Sequence, residues 1–123
     1  MAPPFRALVI DDDRDLLSLI RRTLEFTAGW EVRTAPSGAA GLDLARETPP
    51  DVVVVDLMMP EMDGYEVCRR LKADPATAQV PVVFLTARRD SDEARLAGAG
   101  AAGVVFKPFD PGELARQVRG FCA

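Results

Sequence analysis

Apolar and polar positions along the chain fall into two alternating rhythms. Short β-branched or aliphatic runs recur at residues 6–10 (RALVI), 30–35 (WEVRTA), 52–55 (VVVV), 82–85 (VVFL) and 103–106 (GVVF). Between and after them the apolar residues recur every three or four positions, the period of a helix with one buried stripe. Residues 14–27 carry Leu16, Leu17, Ile20, Leu24 and Phe26 at that spacing, and Ala28-Gly29 closes the segment. A second helix is expected over 37–47, opened by Ser37 as N-cap and stopped by Thr48-Pro49-Pro50. A third, over 64–73, turns Tyr65, Val67, Cys68 and Leu71 inward. The fourth starts at Ser91-Asp92-Glu93 and ends among Gly98, Gly100 and alanines, a poor helical terminus. The fifth, over 111–121, has Asp110 as N-cap, Pro111 at the first helical position and Glu113 in the first turn.

Five strand–helix repeats predict an α/β fold, a doubly wound parallel sheet covered by helices on both faces with right-handed crossovers. The unbroken valine run 52–55 fits a central strand buried on both sides, whereas the alternation of 30–35 fits an edge strand with a wetter face. At 123 residues, with no repeat, linker or low-complexity tract, the whole of 1–123 is expected to be one domain.

Composition narrows the chemistry. The chain is 48% hydrophobic and 28% charged, as a folded domain should be, and its net charge of -4 disfavours a non-specific grip on nucleic acid or an anionic membrane. No apolar run approaches the roughly 20 residues that span a bilayer, and the start has no signal-peptide pattern, so a cytoplasmic protein is expected. The two cysteines, Cys68 and Cys122, form neither a disulfide framework nor a metal-ligand spacing, and Cys68 reads as a small packing residue. There is no histidine, which excludes histidine-based triads and any phosphohistidine formed on this chain. What remains is carboxylates, hydroxyls and one well-placed lysine.

Those groups lie where the strands end. Asp11 and Asp12 follow the first strand, Asp56 the third, Thr86 the fourth and Lys107 the fifth. In an open parallel sheet these ends share one edge, where such folds bind ligands. Three carboxylates brought together repel, each pair by about 4 kcal/mol at roughly 4 Å and an effective dielectric near 20. Either some stay protonated or a cation joins them, and an all-oxygen set without His or Cys selects a hard ion, Mg²⁺ ahead of Ca²⁺. Asp13 is expected to cap the first helix. Capping, however, needs one aspartate and explains neither Asp56 nor Lys107. A metal, a carboxylate nucleophile and a lysine together suit phosphoryl transfer.

The segments VIDDD, VVVVDLMMPEMDG, VVFLTA and VVFKPF, in this order and at these separations, resemble the receiver domain of bacterial two-component response regulators over the whole chain. That resemblance implies the flavodoxin-like, CheY-like (βα)5 fold with strand order 2-1-3-4-5. It implies that Asp56 accepts a phosphoryl group from a phosphohistidine on a sensor histidine kinase or a histidine phosphotransfer protein, the chain acting as a switch and not as a turnover enzyme. It further implies Mg²⁺ held by Asp12 and Asp56, by the backbone carbonyl of Met58, and by Asp11 through water. Thr86 would bind a phosphoryl oxygen and move on activation, Lys107 would pair with the phosphoryl group, and the Lys107–Pro108 bond would be cis. Met58 and Arg88 occupy positions that in the family tune the phosphoryl lifetime. One departure stands out: three residues before the lysine, where the family often has an aromatic residue coupled to the threonine, this chain has Val104, leaving Phe106 or another group to substitute.

The expected output surface is the fourth helix with the fifth strand and helix, addressing a downstream effector or output domain, with a phosphorylation-linked dimer among the expected partners. With no linker after residue 121, a stand-alone regulator and an excised receiver are both open. Three other classes fit less well. A haloacid-dehalogenase-like phosphatase would use Asp11-x-Asp13, but Arg14-Asp15 is a poor continuation and the later acidic pair and cap have no room. A flavodoxin-like FMN binder needs a Ser/Thr/Gly-rich first loop, where three aspartates would repel the phosphate. A degenerate receiver acting only as a binding module is disfavoured because all five site positions are filled.

Overall fold

The computed structural model describes residues 3–87 and 93–122. Ten elements alternate in chain order. They are β1 (Arg6–Ile10), α1 (Arg14–Ala28), β2 (Glu31–Ala35), α2 (Gly38–Glu47), β3 (Val52–Asp56), α3 (Gly64–Ala73), β4 (Val82–Thr86), α4 (Glu93–Gly98), β5 (Gly103–Phe106) and α5 (Pro111–Gly120). All strand pairs are parallel, in the order β2-β1-β3-β4-β5. The order expected from the family is the one observed.

The physical reason for the valine run is direct. β3 lies at the centre of the sheet, every one of its residues is buried, and neighbours on both sides supply the ladder. Its alternating side chains feed two cores. Val52 and Val54 join Val9, Leu17, Ile20, Leu24, Val83, Leu114 and Val118 on the α1/α5 face. Val53 and Val55 join Leu8, Ile10, Leu42, Val67, Leu71, Phe84 and Leu96 on the α2/α3/α4 face. β2 is an edge strand with partly exposed positions, as its alternation predicts.

Caps set the helix ends. Asp13 accepts from the Leu16 amide, Ser37 from Ala40, Asp63 from Glu66 and Asp110 from Gly112. Gly29 ends α1 at φ 68°, the left-handed conformation that glycine adopts without steric cost. Three strand boundaries differ from expectation. β3 and β4 each run one residue further, so Asp56 and Thr86 belong to their strands, because both continue the inter-strand ladder. Trp30 precedes β2 and packs on Phe5 instead. The expected start of α4 at Ser91 and Asp92, like Arg88, lies outside the described residues.

Phe26 is a correction. It was expected to face the core, yet it is 93% exposed. The buried seam of α1 is Leu17, Ile20 and Leu24, and a residue two positions beyond Leu24 lies some 200° round the helix, on the solvent side. Cys68, by contrast, is buried as a packing residue, with its thiol donating to the Ala99 carbonyl at 3.2 Å.

Candidate functional site

The three consecutive aspartates after β1 divide into three roles. The Asp11 amide extends the β1–β2 ladder by donating to the Ala35 carbonyl at 3.1 Å, which carries the Asp11 side chain into the interior. There its Oδ1 accepts from the Asp13 amide at 3.0 Å, and its Oδ2 faces the Lys107 ammonium at 3.3 Å. Asp12 is exposed at the rim. Asp13 turns away to cap α1. The second carboxylate of an Asp-x-Asp phosphatase pair is therefore engaged by the helix end.

Asp56 is the last residue of β3 and is buried. Its Oδ1 accepts from the Met58 amide at 3.2 Å, and its Oδ2 lies 3.6 Å from Lys107 Nζ. The loop beyond it is drawn tight by Gly64. A Cβ at that position would sit 2.7 Å from the Asp56 carbonyl oxygen and 2.9 Å from Leu57 Cα, both backbone atoms that cannot step aside. The Gly64 amide donates to the Leu57 carbonyl at 3.0 Å, which seats α3 against the strand end. In the same loop Glu61 adopts φ 67°, a conformation that strains a residue with a Cβ. Neither feature was singled out from the sequence. The Met-Asp-Gly string was the available signal for the first, and nothing local marks the second.

Thr86 is fully buried at the end of β4, next to β3. Its carbonyl accepts from the Lys107 amide at 2.8 Å, and the Lys107–Pro108 bond is cis. The lysine side chain bridges back to Asp11 and Asp56. Met58 is exposed beside Asp56. Val104 is partly buried against the α2/α3/α4 core, opposite Phe84 in the ladder, while Phe106 lies opposite Thr86.

One carboxylate oxygen from each of Asp11, Asp12 and Asp56 can be chosen so that all three lie within 4.8 Å of one another. Burial, and then the charge of Asp11, push the Asp56 carboxyl up to about 6, against the opposing pull of Lys107 and the Met58 amide. Asp56 is thus held in a field that disfavours its own charge, which a bound cation would relieve. An all-oxygen donor set half enclosed by protein fits a hard divalent ion that keeps some of its water. No helix among the described residues is long and apolar enough to cross a membrane.

Known proteins share this sequence and fold. The family model of the response regulator receiver domain matches residues 7–119. The response regulator MprA of Mycobacterium sp. (strain KMS) is 45% identical over 118 residues, covering 94% of this chain and 50% of the relative. The DNA-binding dual master transcriptional regulator RpaA of Synechocystis sp. is 41% identical, covering 93% of this chain and 47% of the relative. This chain therefore spans about half the length of these curated relatives. The chemotaxis protein CheY4 of Vibrio cholerae superimposes with a TM-score of 0.90 at 29% identity, covering 97% of this chain and 99% of that one. With a family model matched over most of its length, relatives above 40% identity and the same fold, the chain belongs to the response regulator receiver domain family.

Proposed function

We propose that this chain is the phosphoryl-accepting switch of a two-component phosphorelay, with Asp56 as acceptor. The observation that carries this reading is the convergence on Asp56 of Lys107 at 3.6 Å and of the Asp11 and Asp12 carboxylates. An Asp56 oxygen attacks the phosphorus of a partner's phosphohistidine; the new O–P bond forms as the P–N bond breaks, and the imidazole leaves with the electron pair. Lys107 neutralises charge on the transferred group, and the Thr86 hydroxyl hydrogen-bonds one of its oxygens. Asp11, Asp12, Asp56 and the Met58 carbonyl would hold Mg²⁺, which supplies further neutralisation of phosphoryl oxygens. Water later attacks the acyl phosphate, returning the carboxylate and releasing inorganic phosphate. Each cycle consumes a group delivered by the partner, so the chain is a switch and not a turnover enzyme.

Partners follow from that chemistry. Without histidine the phosphoryl donor is external, a sensor kinase or a phosphotransfer protein. The receiver controls a separate effector or output segment through α4, β5 and α5, with a phosphorylation-linked dimer as one form of output. A DNA-binding activity such as the name of RpaA states for that relative would reside outside this chain, whose net charge of -4 opposes nucleic acid. The setting is cytoplasmic. Phosphoryl transfer is tested by intact mass after incubation with Mg²⁺ and acetyl phosphate, beside Asp56→Ala. One added phosphoryl mass that needs Mg²⁺ and is absent from the variant is expected. A folded wild-type protein that gains no adduct with any divalent metal would instead be a binding module.

A further inference from the structure

The span from β3 to α3 is tied at both ends. The Leu57 amide donates to the Leu85 carbonyl at 3.1 Å, and the Gly64 amide returns to the Leu57 carbonyl at 3.0 Å. Between these ties Met58, Pro60 and Glu61 are exposed, whereas Met59 and Met62 are partly buried against the α2/α3/α4 core. The Met62 amide donates to the Pro60 carbonyl at 2.7 Å, across Glu61 at φ 67°. A hydrogen bond that spans one residue of positive φ marks the rare, strained form of the γ-turn. Strain of this kind persists where the surroundings over-determine it, and it gathers at functional sites.

Met62 supplies that constraint. Gly38, the first residue of α2, is buried, and a Cβ there would lie 2.9 Å from Met62 Sδ and 3.2 Å from Met62 Cβ. The thioether fills the room that a side chain at position 38 would need, a fit that suits the adaptable shape of methionine. Behind this contact lies the other half of the acidic site. Gly38 follows Ala35 by three positions, and the Ala35 carbonyl holds the Asp11 amide at 3.1 Å. Ahead of it, the Met58 amide holds Asp56 Oδ1 at 3.2 Å, while Oδ2 faces Lys107. Met62 therefore bridges the loop that orients Asp56 and the strand ends that carry Asp11.

We infer that Met62 is a positioning residue for the acceptor. Seated against Gly38, it clamps the γ-turn and so sets the Met58 backbone that orients Asp56. The same contact sets the spacing between Asp56 and the Asp11–Asp12 side of the cation site. Met62 acts through the Met58 backbone, not by touching the phosphoryl group, and the inference rests on the acceptor and Mg²⁺ readings above.

The test combines backbone amide shifts of the metal-free protein with calorimetric Mg²⁺ titration. It compares wild type with Met62→Ala, Met62→Leu, Gly38→Ala and Leu42→Ala, the last truncating the same core from α2. Met62→Ala is expected to displace the Met58 amide resonance before metal is added and to weaken Mg²⁺ binding roughly tenfold. Gly38→Ala should act in the same direction by pushing on Met62, although alanine favours a helix over glycine. Met62→Leu, of similar volume, should stay within about twofold of wild type. Leu42→Ala should lower the melting temperature and leave both readouts in place. A folded Met62→Ala with both readouts unchanged would overturn the inference. Equal movement of both in Leu42→Ala would do the same, making Met62 a packing residue only. Should Met62→Ala fail to fold, Gly38→Ala against Leu42→Ala decides on the same criteria. A wild type that binds no Mg²⁺, with the Met58 amide still displaced in Met62→Ala, would support the clamp and count against the metal reading. Absence of a phosphoryl adduct, with both readouts as expected, would count against the acceptor reading alone.

Discussion

The helices α1 and α5 on one face of the sheet and α4 on the other are built to different standards. On one, α1 runs fifteen residues between an aspartate cap and a left-handed glycine, and it buries Leu17, Ile20 and Leu24. α5 beside it begins at Asp110-Pro111 and buries Leu114 and Val118. On the other face the described part of α4, Glu93–Gly98, has Leu96 as its buried side chain among those described, and it ends at Gly98, with Gly100 at φ 82° just beyond. β5 beneath it has one fully buried position, Val105, and that residue packs on the α1/α5 core. Stability in a folded domain is not uniform, and segments with little buried apolar surface open first. The acidic site sits on the line between the faces: Asp11 and Asp56 come from central strands, while Thr86 and Lys107 border the thin side.

Core truncation should separate the faces most. Ile20→Ala is expected to lower unfolding free energy by about 3–4 kcal/mol, whereas Leu96→Ala should cost nearer 2 kcal/mol and leave the α1/α5 amides protected from exchange. Denaturant unfolding with hydrogen exchange measures both, and equal losses would erase the contrast.

The line between the faces responds to pH. The carboxyl of Asp56 titrates near 6 in the folded chain against about 3.8 ordinarily. Between those values the folded form keeps a proton that the unfolded form releases, so stability falls as pH rises from about 4 to 6 and stays reduced above. In metal-free buffer Asp56→Asn should remove this decline and stabilise the protein at pH 7 by up to about 3 kcal/mol, the equivalent of two pH units. Melting curves across that range check it, and a wild-type profile flat from pH 4 to 7 would contradict it.

The smallest effect concerns the loop between β3 and α3. Glu61→Gly should relieve its left-handed backbone and gain up to about 1 kcal/mol, against the entropy that glycine loses on folding. A loss of stability would mean that the Glu61 side chain contributes contacts that outweigh the strain.

Much of this was legible in one dimension. Periodicity alone separated five strands from five helices, since a chain that buries β-branched runs on both sides must cover them with helices. Caps such as Asp13, Ser37 and Asp110 act within three residues, so local sequence determines them. Strand-end chemistry was also readable, because parallel strands all deliver their last residues to one edge. Strand order came with the family resemblance, and periodicity is silent on it.

What only the tertiary structure decided involves distance between segments far apart in the chain. The division of Asp11, Asp12 and Asp13 into a buried anchor, an exposed rim carboxylate and a helix cap depends on how the chain folds around each. The exposure of Phe26 depends on which arc of α1 meets the sheet. Gly64 must be glycine because α3 returns onto the Asp56 backbone. The raised carboxyl of Asp56 depends on its burial and on Asp11, forty-five positions earlier in the chain. Period and turn chemistry are local and survive in a string of letters; burial, close approach and electric field arise only when distant residues are brought into contact.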